Sequence, residues 1–143
     1  LNLQKYKTIF KLMVKSKKVY VVDARCWTEA FLCSWFKKNF GMLGFLEVFE
    51  EHTLVYNQLK KEMQFYGYPD YLAKTKDNKI VRVEIEVFSS NYHHGTNYCE
   101  IMLCYASDVK IPDITTYELK TLLGCEEIIN KTEILQYLFF TLP

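Results

Sequence analysis

The alternation of apolar and polar residues is clearest between Tyr68 and Asn91. From Ile80 to Phe88, Val81, Val83, Ile85 and Val87 fall on one side and Arg82, Glu84, Glu86 and Phe88 on the other. A period of two predicts a strand, and four β-branched residues mark the face that enters a core. Tyr68-Pro69 opens an earlier strand, where proline is tolerated, and the polar run from Lys76 to Lys79 turns the chain between the two. The length of that turn decides what Asp70 faces. A two-residue Asp77-Asn78 loop pairs Lys76 with Lys79 and sets Asp70 opposite Ile85, on the core face. A three-residue Lys76-Asp77-Asn78 loop, with Asn78 left-handed, sets Asp70 directly opposite Glu84 and diagonal to Glu86. The expectation is the three-residue loop or an equivalent bulge.

The pattern around this hairpin predicts a mixed helix–strand order. Val19 to Asp23 reads as a short strand, followed by a helix from about Cys26 to Asn39. Trp27, Phe31 and Trp35 recur there at helical spacing as a core stripe, and Gly41 offers a left-handed cap. Phe45 to Phe49 alternates Phe45, Glu47 and Phe49 against Leu46 and Val48, as a first sheet strand or the start of a longer helix. Thr53 can cap a helix to about Phe65, with Val55, Leu59 and Met63 inward, Lys60 and Lys61 outward, and Gly67 at its end. Ser89 to Tyr98 is a polar connection, Cys99 to Ala106 a buried strand, and Thr115 or Thr116 the cap of a helix through Leu123 closed by Gly124. Ile134 to Leu142 is apolar enough for a strand or a helix.

At 143 residues the chain is long enough for one domain with its own core, and residues 1–143 are read as a single domain. No apolar run reaches the ~18 residues of a membrane span and no signal-peptide pattern is present, so a cytoplasmic protein with no membrane partner is expected. The first residue is Leu1 rather than Met, which fits a missing or processed start. Net charge is only +1, but its distribution is uneven. Residues 1–22 hold six lysines, Lys15, Lys17 and Lys18 among them, and no acid, so residues 23–143 form a net acidic core. Such a basic segment suits a phosphate backbone and equally suits a solvated helix face. Only two arginines are present, so reading of base edges by arginine forks is poorly supplied.

Glu84 and Glu86 lie one pleat apart, with Asp70 within reach in the longer-loop register. Carboxylates crowd where something offsets their repulsion, and a hard divalent cation does so well. Pro69-Asp70, then Glu84-Ile85-Glu86 in the next strand, resemble the PD-(D/E)xK nuclease superfamily with its restriction-endonuclease-like fold. The likeness extends through Ser89-Ser90-Asn91-Tyr92, His93-His94 and the acid-headed apolar strand from Glu100, and covers roughly Trp27 to Asp108. It implies an α+β fold, a central mixed β-sheet flanked by helices. It also implies a metal-dependent nuclease acting on nucleic acid, DNA in preference to RNA, with Mg (or Mn) held by Asp70, Glu84 and Glu86. His94 joins these three as a candidate catalytic side chain, Glu29 and Ser90 are weaker candidates, and a homodimer is compatible with the family's habit. Members usually carry lysine two residues after the catalytic glutamate; here that position is Glu86 or, counted from Glu86, Phe88.

Five cysteines, an odd number without a CxxC pair, suit a reducing compartment rather than a disulfide framework. His93, His94, Cys99 and Cys104 offer zinc donors, but Cys99 opening a strand and Cys104 within it read as packed core. Two other readings stand beside the nuclease. One is a nuclease-like fold without chemistry that binds nucleic acid or serves assembly. The other is an unrelated α/β domain whose acidic strand face is solvated, with Arg82 pairing Glu84 and Asp70 on the opposite face.

Overall fold

The helix predicted before the first strand forms at Glu29–Asn39 (α1), because Thr28 stands ahead of it as an N-cap whose hydroxyl accepts the Phe31 N–H. The computed structural model describes residues 28–123, so Cys26 and Trp27, the Val19–Asp23 strand, Lys15, Lys17, Lys18 and the Ile134–Leu142 stretch lie outside the described residues. Leu32 and Phe36 are the fully buried side chains of α1, and Phe31 and Trp35 only flank them. The inward stripe is therefore rotated from the expected one by one residue. A short 3-10 turn, Phe40–Leu43, follows, and Gly44 rather than Gly41 supplies the left-handed residue, at φ 85°.

The chain then builds a five-stranded sheet in the spatial order of the sequence: β1 (Phe45–Glu50), β2 (Tyr71–Thr75), β3 (Ile80–Phe88), β4 (Ile101–Ala106) and β5 (Thr115–Glu118). The first three strands run antiparallel as a meander, while β4 and β5 add in parallel. This is a mixed α/β architecture, a mixed sheet flanked by helices. On one face α1 packs Leu32 and Phe36 against Phe45, Tyr71, Ala73, Val83, Ile85 and Leu103. A second cluster of Cys99, Met102, Cys104 and Ile114 contains the alternate residues of β4. No described helix is long and apolar enough to cross a membrane.

Three local readings are corrected. In β1 the pairing slips between Phe45 and Glu47, so Leu46 is bulged out and more than half exposed. The extra residue reverses the alternation, and Phe45 shares the core with Val48 rather than with Glu47 and Phe49. In the helix Leu54–Met63 (α2), Thr53 caps as expected, but Tyr56 is the buried residue while Val55 and Met63 are exposed. Gln64, left-handed at φ 55°, ends that helix, not Gly67. Thr115 and Thr116 start a strand, not a helix, because the open edge of β4 takes this β-branched and aromatic stretch in register, Ile101 with Thr115 and Leu103 with Tyr117. The helix that follows is only Leu119–Leu122 (α3).

Candidate active site

The β2–β3 turn sets the geometry of the acidic residues. Thr75 donates its N–H to the Lys79 carbonyl at 2.8 Å and accepts the Asn78 N–H at 2.9 Å. Asn78 sits at φ 61°, so the loop is Lys76-Asp77-Asn78 with its last residue left-handed, the conformation in which Asn costs less than most side chains. Tyr71 consequently faces Val83 and Lys74 faces Ile80. Continued by one residue, that register sets Asp70 opposite Glu84.

The regular β2–β3 ladder ends at Tyr71 and Val83, and two carboxylates take over the backbone amides beyond it. Asp70 N–H donates to Glu84 Oε1 at 3.0 Å, and Ile85 N–H donates to Asp70 Oδ2 at 2.8 Å. Each carboxyl keeps its second oxygen outside these two bonds. Glu84 is only 5% exposed. Burial foremost, then the Asp70 charge, lifts its carboxyl to about 8, against a smaller lowering by the Asp70 amide and further lifts from Glu86 and Glu29. Burial lifts Asp70 to about 6, opposed by its bond from Ile85 and helped by Glu29 and Glu51. Glu86 is raised in the same direction by burial, Glu29 and Asp70, with His93 opposing. At neutral pH the pair therefore shares less than two full charges.

Glu29 reaches this group from α1. It lies one turn before Leu32 and two before Phe36, on the helix face that meets the sheet, and its charge acts on Asp70, Glu84 and Glu86 alike. Arg82 does not neutralise Glu84. Its guanidinium pairs with Glu100, Nε to Oε2 at 2.7 Å, at the head of β4. The solvated, Arg82-paired face is thus replaced by a buried carboxyl facing Asp70.

The segment 89–100, which crosses from β3 to the parallel β4, brings rings over the acids. His94 Nε2 stands 3.9 Å from Glu84 Oε2, too long for a hydrogen bond but close enough for charge to matter. The His94 ring stacks on Tyr98, with centroids 3.8 Å apart and planes 7° from parallel, and meets Tyr92 edge-on. Burial and the neighbouring His93 push its pKa down, favouring the neutral ring. Tyr98 is fixed in turn: its hydroxyl accepts the Tyr68 N–H at 3.2 Å and its ring lies on Gly67. Gly67 is at φ 83°, and a Cβ there would come within 2.3 Å of the Tyr98 ring. Only glycine meets both demands.

Tyr56, Tyr92 and Tyr98 all feel the Glu84 charge and are all raised, chiefly by burial. Tyr92 lies in the stretch that carries the likeness, but sequence reasoning passed over Tyr56 and Tyr98, whose only signal is the high tyrosine content, eleven in all, which says nothing of position. Ser90 is placed differently from Asp70 and Glu84. Its N–H and hydroxyl both donate to Asp108, as the Ser89 hydroxyl does, so this pair ties the end of β3 to the loop after β4. Cys99 and Cys104 are buried with thiols pushed up, Cys99 to about 11 and Cys104 to about 12, mainly by desolvation, as packed cysteines should be. Phe88 packs against the core beside Ala106, and among the described residues no lysine acts on Asp70 or Glu86 to lower them.

Among the described residues no three His, Cys, Asp or Glu side chains are arranged to hold a metal ion. The donor chemistry nevertheless suits a hard cation. Asp70 and Glu84 are adjacent, mutually repelling and short of charge, and magnesium is commonly held by one or two carboxylates together with waters and substrate phosphate. No known protein family, curated protein or solved structure matches the chain.

Proposed function

We propose that the chain is a divalent-metal-dependent nuclease with a restriction-endonuclease-like core, centred on Asp70 and Glu84. One observation supports this above others: the register that faces Asp70 with Glu84 leaves two desolvated carboxyls to which, among the described residues, no lysine or arginine side chain is bonded. An arrangement that raises two acids to about 6 and about 8 costs folding stability, and sites of this kind are concentrated where chemistry is done. Asp70 and Glu84 would hold magnesium or manganese through their remaining oxygens, with Glu86 and Glu29 adding negative charge around it. Such a cation polarises a scissile phosphate and lowers the pKa of an attacking water. Glu84 keeps its proton at neutral pH until a positive charge arrives. The neutral His94 ring, stacked on Tyr98, stands 3.9 Å from Glu84 and can accept a proton there.

A second reading, a nuclease-like module that binds nucleic acid without cutting it, is favoured by Phe88. Its packed ring occupies one of the two positions where the resembled family carries lysine, and no described lysine acts on Asp70 in its place.

Cleavage of supercoiled, linear and single-stranded DNA, with RNA alongside, in magnesium or manganese separates the two readings. Metal-dependent nicking that Asp70→Ala abolishes supports the nuclease. Binding without cleavage of any of these substrates in either metal overturns it and leaves the module.

A further inference from the structure

A groove of about 540 Å³ is lined by Lys60, Lys61, Phe65, Tyr68 and His52, with no carboxylate in its lining. Its walls belong to α2 and to the loop that leads into Asp70. Lys60 was expected to point to solvent, but it turns in: its ammonium donates to the Phe65 and Gly67 carbonyls and sits 4.6 Å from the Phe65 centroid and 4.4 Å from the Tyr68 centroid. One half-buried cation thus fixes the loop and underpins two aromatic rings. Tyr68 remains 54% exposed and Lys61 is exposed beside it. His52, left-handed at φ 71°, holds its ring 6.3 Å from that of Tyr68.

We infer that this groove binds a nucleic-acid strand with unpaired bases, one base on Tyr68 and a phosphate at Lys61, and feeds that strand to the acidic pair. The inference rests on the nuclease reading and names its substrate class. Exposed aromatic rings beside lysines are the means by which proteins hold single strands, because every unpaired base offers a face to stack while its phosphate needs a cation. A duplex keeps those faces covered. The groove's charge fits as well: two lysines and no acid stand in a core that is otherwise net acidic. Its exit is short. Tyr68 is two residues from Asp70, and Glu51, next to His52, donates its N–H to the Asp70 carbonyl.

The test is fluorescence anisotropy of the full chain with a labelled oligo-dT and with a closed DNA hairpin duplex, in chelator so that nothing is cut. The single strand binds about tenfold tighter than the duplex, and Tyr68→Ala removes about that factor while Tyr68→Phe retains it. Lys61→Ala weakens single-strand binding and lowers its salt slope by about one. The Tyr68 N–H that holds Tyr98 is backbone, so these substitutions leave that contact in place, and circular dichroism checks the fold. Equal affinity for strand and duplex, no binding of either, or an unchanged affinity in Tyr68→Ala overturns the groove. The outcome is independent of cleavage. Single-strand preference without metal-dependent cutting keeps the groove and removes the nuclease, whereas cutting lost in Asp70→Ala without that preference does the reverse.

Discussion

Asp70 and Glu84 each accept a backbone amide from the opposing strand, Asp70 N–H to Glu84 and Ile85 N–H to Asp70, at 3.0 and 2.8 Å. The two acids therefore close the end of the β2–β3 ladder and repel one another while doing so. That double role gives the site its pH dependence.

Glu84 binds its proton more tightly in the fold than in the unfolded chain, about 8 against an ordinary 4.5. The folded state is then the more protonated one between those values, and stability falls as pH rises through that window. Asp70 acts in the same direction between 3.8 and about 6. Melting temperature in chelator should fall between pH 6 and pH 8. Glu84→Gln, neutral and of the same shape, should flatten that fall. Parallel pH profiles for the two proteins would show that Glu84 is not desolvated as described.

Gly67 and Gly44 are both left-handed, but only Gly67 lies beneath a ring. Gly44→Ala should cost about 1–2 kcal/mol of backbone strain. Gly67→Ala adds the collision with Tyr98, roughly 1–3 kcal/mol more, and loosens the ring that holds His94. Urea unfolding of both variants measures the difference. Equal losses would mean that Tyr98 does not rest on Gly67.

The hairpin was legible in the sequence because its determinants are local. Val81 to Val87 alternate without interruption, and Asn78 stands where a three-residue loop requires a left-handed residue. The sites of failure are those decided by distant partners. Either of two neighbouring stripes on α1 satisfies a helical period, and contact with the sheet selects Leu32 and Phe36 over Phe31 and Trp35. Thr115 and Thr116 have the chemistry of a helix cap and of a strand, and the free edge of β4 decides. Arg82 had Glu84 as its near neighbour in sequence, yet Glu100 reaches it from across the crossover. Of the candidate site, the acids, Tyr92 and His94 carried a pattern; Tyr56, Tyr98 and the loop-clamping Lys60 did not.

The bulge in β1 gives a direct test of its parity. Leu46 is displaced outward and Val48 packs on the core, the reverse of what unbroken pairing from Phe45 would give Val48. Leu46→Asp should change stability by no more than about 0.5 kcal/mol, while Val48→Asp should cost several times that by putting a carboxylate against Phe45 and its neighbours. Chemical denaturation of the two variants decides it: without the bulge Leu46 and Val48 share one face, so equal losses would remove it.

A cation at the acidic pair must compete with protons, and this makes its effect depend on pH in a stated direction. Carboxylates bind metal only when deprotonated. At pH 6 Glu84, with its pKa near 8, is almost wholly protonated, and at pH 8 it is about half ionised. Manganese should therefore raise the melting temperature more at pH 8 than at pH 6, opposite to the intrinsic loss of stability over that range. A cation present at a hundred times its Kd contributes about 2.7 kcal/mol, several degrees for a chain of this size. Asp70→Asn should remove most of the gain at both pH values, since one of the two ligand carboxyls is gone and Glu84 alone holds the ion poorly. Differential scanning fluorimetry over both pH values reads the result. A manganese shift that is absent, or that is undiminished in Asp70→Asn, would detach the cation from this pair and with it the metal-dependent reading of the site.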